Sequence, residues 1–232
     1  MTLAQALLSA LLAAPAAGQE ASLIGSVVRS DKWNIKRGEH KVEEFTGNVQ
    51  YQREGRRLRA DWALYDHDQQ TLDARGNLKA EEKLADGTVA ALEAGQGAFD
   101  RAAGKGWLAG RRPDDGVPLI LRKPDGSEQG RGWSRRLTWD LPRREAALEG
   151  DARFQEERGE LHAETARFDH GAKSLTLTGR RPVISARGPG WAAAVQAESL
   201  TALALEGSRR RVTGTGRARG WLHFPASGSL RP

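Results

Sequence analysis

The chain has 232 residues, enough for one large domain or two small ones. It contains no cysteine, which excludes disulfides, thiolate metal sites and a cysteine nucleophile. Its 27 glycines and 9 prolines leave too few unbroken stretches for a helical bundle. Lys and Arg number 36 against 30 Asp and Glu, a net +6 that is too small and too dispersed for a nucleic-acid binder. A hydrophobic share of 38% that includes the N-terminus means a thin core, which suits an extended sheet better than a globule.

Residues 1–18 are a separate object. Leu3 to Leu12 is apolar except for Gln5 and Ser9, and Ala13-Ala14-Pro15-Ala16-Ala17-Gly18 follows. An apolar run backed by small residues reads as a secretory signal peptide, although no Lys or Arg precedes it. A membrane anchor needs about 20 apolar residues and is the weaker reading. The expected location is therefore the periplasm, with inner-membrane anchoring second.

From residue 19 to 224 the chain repeats itself. An aromatic residue followed by Asp occurs at Tyr65-Asp66, Phe99-Asp100, Trp139-Asp140 and Phe168-Asp169, and ten residues after each Asp stands Gly76, Gly110, Gly150 or Gly179. Leu58-x-Ala60-Asp61-x-Ala63-x-Tyr65-Asp66 matches Leu161-x-Ala163-Glu164-x-Ala166-x-Phe168-Asp169. Apolar residues alternate on both sides of the glycines, the signature of half-buried strands. Within the Leu-x-Ala-Asp-x-Ala stretch the alternation slips by one residue, and a β-bulge there would return both apolar sets to one face. Each Asp is expected to open a turn by accepting a backbone N–H two residues on, and each glycine to permit a bend or close approach. Residues 113–131, with turn sequences at Pro113-Asp114-Asp115-Gly116 and Pro124-Asp125-Gly126 that bracket a candidate extra strand at Val117 to Arg122, read as an insertion between the second and third units. Residues 225–232 read as a flexible tail.

The series Phe45-Thr46-Gly47-Asn48-Val49, Leu58-x-Ala60-Asp61-x-Ala63-x-Tyr65-Asp66 and Leu72-x-Ala74-x-Gly76-Asn77-Leu78 resembles the LptA/OstA-like family. That family includes the periplasmic lipopolysaccharide-transport proteins LptA and LptC and the N-terminal domain of LptD. The resemblance covers about residues 30–222 and lies in the ordered series, not in any single motif. It implies an all-β fold, a half-open antiparallel β-jellyroll (β-taco) built from repeated hairpins. It also implies a carrier or bridge role, with acyl chains of lipopolysaccharide or a related lipid in the groove and other Lpt components, or a second copy, joined through the sheet edges. Groove candidates from the shared phase of the repeats are Val49, Tyr51, Leu58, Ala60, Ala63, Tyr65, Phe99, Leu148, Phe154, Leu161, Phe168, Leu175, Leu177 and Val183.

No other chemistry stands out. The five histidines show no ligand spacing, and Asp66-His67-Asp68 reads as a solvated turn and not a metal site. No paired carboxylates, Ser/His arrangement or phosphate loop emerges, so neither an enzyme nor a cofactor is expected. Trp33, Trp62, Trp107, Trp139 and Trp191 fall in strands, where core or groove packing is the default. The Arg runs at 56–57, 111–112, 135–136, 143–144, 180–181 and 209–211 read as a solvated rim that protects strand ends, with lipid phosphate contact as the functional alternative. Two rival functions are an envelope scaffold assembling by edge-strand pairing without lipid, and a carbohydrate-binding module using surface Trp.

Overall fold

A computed structural model describes residues 27–38, 41–53, 55–84, 86–204 and 210–224. The apolar leader and the tail lie outside these residues. The described chain is all-β, and its 18 strands form one antiparallel sheet folded over on itself as a half-open β-jellyroll.

Six long strands run through both layers of the fold: β3 (Lys41–Arg53), β4 (Arg56–Asp66), β5 (Thr71–Lys83), β6 (Val89–Asp100), β11 (Glu145–Glu156) and β12 (Gly159–Asp169). The remaining strands are similar spans broken at the same corner. They are β1 (Val27–Arg29) with β2 (Lys32–Arg37), β7 (Lys105–Ala109) with β8 (Val117–Arg122), and β9 (Glu128–Ser134) with β10 (Arg136–Asp140). Then come β13 (Ser174–Thr178) with β14 (Val183–Gly188), β15 (Trp191–Gln196) with β16 (Ser199–Ala204), and β17 (Arg210–Thr215) with β18 (Arg219–His223). In the first layer the ladder runs from β2 through β7, β10, β13 and β16 to β17. In the second it runs from β1 through β8, β9, β14 and β15 to β18. The stretch 113–131, read from sequence as an insertion, thus supplies β8 and part of β9, regular members of the second layer.

The repeat has a physical cause at each end. Four hairpins of the first layer, β4–β5, β6–β7, β10–β11 and β12–β13, close with a four-residue loop whose last residue is left-handed: Gln70 (φ 55°), Gly104 (65°), Arg144 (57°) and Lys173 (50°). In three of these loops the Asp before the loop accepts a backbone N–H three residues on and not two: Asp100 from Ala103, Asp140 from Arg143 and Asp169 from Ala172 at 2.8–3.1 Å. Asp66 bonds both Asp68 and Gln69. Five strand residues later the chain reaches the corner.

There two residues oppose one. Gly47-Asn48 faces Asp61, Gly76-Asn77 faces Gly95, and Gly150-Asp151 faces Glu164, each at a register shift. Both residues of each pair have positive φ, for example 73° at Gly76 and 44° at Asn77, which suits Gly and Asn and few others. A Cβ on Gly76 would overlap the Asp61 carboxylate, so only glycine fits. Asn77 Nδ2 donates to Asp61 Oδ2 and Asn48 Nδ2 to Asp31 Oδ2, both at 2.9 Å. Toward the C-terminus the same corner is held by Arg180 with Glu164 (3.4 Å) and Arg217 with Glu198 (3.7 Å). The bulge does what the slipped alternation requires: Ala60 and Ala63 are both buried.

Candidate functional site

Cross-strand partners point to the same side of a sheet, so the ladders define which residues line the interior. One inner row of the first layer reads Trp33, Phe45, Ala63, Ala74, Gly97, Leu108, Leu137, Leu148, Ala166, Leu177, Leu200, Gly214. The next row carries Tyr65, Leu72, Phe99, Trp139, Phe168, Leu175, Ala202 and Val212. In the second layer an inner row reads Val28, Tyr51, Leu58, Ala80, Leu92, Leu119, Gly132, Phe154, Leu161, Ile184, Val195, Gly220. Facing rows meet in one apolar cluster.

That interior is not equally open along its length. Among the groove candidates, Val49, Ala60, Ala63, Leu148, Phe154, Leu161, Phe168, Leu175 and Leu177 are buried in the cluster. Tyr51, Leu58, Tyr65 and Phe99 face inward and are half-buried. Val183 is a correction. It pairs with exposed His162, whereas Ile184 pairs with buried Leu161, so Val183 points outward. Gly179 and Arg181, both at positive φ before buried Pro182, break the strand and reset its phase.

At the two ends the inner rows come to the surface. At the first, Trp33 is 61% exposed and stacks flat on Phe45 at 6.3 Å between centroids, and Val28 is 38% exposed. At the other, Leu222 is 63%, Trp191 39% and Val212 37% exposed. The lips differ in chemistry. Near the first end the interior margin is polar: Glu43 accepts Trp33 Nε1–H at 3.2 Å, with His67 Nε2 at 2.7 Å. In the other layer Arg56 pairs with Glu82 at 2.8 Å on an inward-facing row. Burial pushes the Glu82 carboxyl above its ordinary range, and Arg56 beside it offsets this only in part. The corresponding row near the last strands holds Gly159, Ala186, Ala193 and Leu222 and is apolar.

No family model matches the chain, and no curated protein matches it. Among solved structures it is similar to LptH of Pseudomonas aeruginosa, described as the LptA homologous periplasmic component of the conserved lipopolysaccharide transport device. The identity is 11% and the TM-score 0.29, with 82% of this chain and 94% of that one covered.

The outer face corrects two further expectations. Trp62 and Trp107 lie outside the fold, not in its core, under the guanidinium groups of Arg75 (4.9 Å) and Arg136 (4.5 Å); Trp133 sits likewise under Arg153. Trp62 Nε1 donates to Glu44, which holds that carboxyl below its usual range. These rings are covered by cations and form no bare aromatic row. Arg56 is not part of a solvated rim but of the inner pair above. Asp66, His67 and Asp68 each have a local partner in the turn or on β3, and no group of three His, Asp or Glu among the described residues could hold a metal.

Sequence reasoning missed Leu222, Val212, Ile184 and Val195. The end strands are the degenerate copies of the repeat, so their phase carried no signal. In Val183-Ile184 two apolar residues are adjacent, and only the ladder decides between them.

Proposed function

We propose that this protein is a periplasmic carrier or bridge component that holds acyl chains of lipopolysaccharide, or of a related lipid, against its inner apolar face on the way to the outer membrane. The observation that carries the reading is the continuity of the inner rows: they cross the whole folded sheet and, among the described residues, their large apolar side chains are exposed at its two ends. Each end is also a free edge among the described residues, since β1 and β2 pair only with β3, β17 only with β16 and β18 only with β15. A partner with matching strands can extend the sheet there by strand addition, making the apolar face continuous between molecules. Each buried methylene contributes about 0.8 kcal/mol, so even partial seating of several chains holds a lipid firmly.

A photo-crosslinking residue placed at Leu222, at Trp33 and at outward-facing Val183 tests this. Lipopolysaccharide is expected to crosslink from the first two positions and not from Val183. Equal crosslinking from all three, or none from any, rejects the lipid reading. The edge claim is tested separately by Val212→Pro and Thr213→Pro. Along an edge strand successive N–H groups alternate between the neighbour and the free side, so one of the two removes an outward donor and abolishes association in sedimentation.

A second reading, an envelope scaffold assembling by its edges without lipid, is favoured by the filled centre, where Leu148, Phe168 and Leu177 are fully buried. It predicts association without lipid crosslinks.

A further inference from the structure

The outer surface of the second layer has a hollow of about 300 Å³ where β12, β14, β15 and β18 lie side by side, at the small end of the range for ligand sites. Its floor is Ser185, Ala192 and Ala194, small residues where neighbouring outer positions carry Arg153 and His162. Its walls include Trp221, 53% exposed, with Glu160 and His223. We propose that this hollow is a saccharide-binding subsite.

The chemistry selects the ligand class. An exposed indole offers a flat apolar surface for the C–H face of a pyranose ring. The side chains of Gln155, Glu160, Ser185 and His223, all in the lining, make no hydrogen bond or ion pair with another described residue. They present acceptors and donors of both kinds, as a ring of hydroxyls needs. An acyl chain would strand these polar groups. A phosphate would meet the Glu160 carboxylate, while the guanidinium in the lining, that of Arg187, already donates through Nε to the Glu157 carbonyl at 2.9 Å. Two sources supply the same chemistry: a free oligosaccharide, or the sugar portion of a glycolipid. In the second case the acyl portion would lie on the opposite, inner face of the same β14–β15 hairpin, along the row of Ile184 and Val195.

Calorimetric titration of the exported full-length protein with chitotriose and with delipidated lipopolysaccharide oligosaccharide tests the subsite. Saturable binding to at least one is expected. Trp221→Ala and Ala194→Leu, the latter filling the floor, should each weaken it tenfold or more without changing the thermal melt. If both variants also weaken binding of intact lipopolysaccharide, the headgroup is the source; if intact lipopolysaccharide binds them unchanged, the source is a free saccharide. No saturable binding to either probe at millimolar concentration, or binding that both variants leave intact, overturns the proposal. Retained uptake of a fluorescent fatty acid in that event separates failure of this subsite from failure of the carrier reading, on which it does not depend.

Discussion

Leu177 and Trp33 lie on one cross-strand row, yet Leu177 has no solvent exposure and Trp33 is 61% exposed. Mid-sheet, the two layers each have neighbours on both sides, and large side chains such as Phe168, Leu137 and Phe154 interlock across the interior. At the ends a strand has a neighbour on one side only, and the same inward direction leads to open space. One alternating pattern therefore produces a core in the middle and an apolar surface at the margins. Large exposed apolar side chains clustered at a margin mark an interaction site, whereas the buried middle supplies stability.

The largest expected effect is at the centre. Phe168→Ala should cost about 3–5 kcal/mol, read from urea unfolding, with fatty-acid binding per folded molecule unchanged. A loss under about 1 kcal/mol would mean that the centre is not a packed core and that the contrast with the ends is false. Leu222→Asp should do the reverse. Its stability effect should stay within about 0.5 kcal/mol because the side chain is mostly exposed, while affinity for an acyl probe falls about tenfold, or roughly 1.4 kcal/mol.

The corners extend the comparison to the two halves of the sheet. Asn77→Ala removes the bond to Asp61 and a residue suited to positive φ, and should cost about 1–2 kcal/mol, independent of salt. Arg217→Ala, in the equivalent corner near the last strands, breaks a pair that is 87% and 63% exposed. That change should cost about 0–1 kcal/mol and less at high ionic strength. Equal costs at both corners, measured at low and high salt, would show that corner chemistry does not distinguish the halves.

The smallest effect concerns the polar lip. Glu82 has a folded-state pKa raised by burial. It binds its proton more tightly when folded, so its contribution is fully favourable below the ordinary carboxylate range and is lost as pH rises through the folded value. Glu82→Gln should flatten that part of the stability profile, leaving the acid side of the curve unchanged. A wild-type profile with no decline over this interval would remove the burial argument.

By itself the sequence determined the all-β class, the hairpin period, the bulge between Ala60 and Ala63 and the glycines of the corners. These are local. A left-handed Gly-Asn pair, an Asp-capped loop and a two-residue alternation are each written within about ten residues, and the chain copies them. Tertiary structure alone decided what depends on neighbours distant in sequence. Val183 faces out and Ile184 in because Leu161, not its own segment, sets the pairing. Trp62 lies outside because the bulged corner turns Ala63 inward, and Trp107 because the ladder turns its apolar neighbour Leu108 inward, which leaves both rings under Arg75 and Arg136. The strand at Val117–Arg122 was legible, but that it and the start of β9 are regular members of the second layer, not an insertion, was decided by the edges that β6 and β11 offer them. Whether an inward apolar residue becomes core or exposed surface was settled last, by whether a strand stands on each side of it, and alternation carries no record of that count.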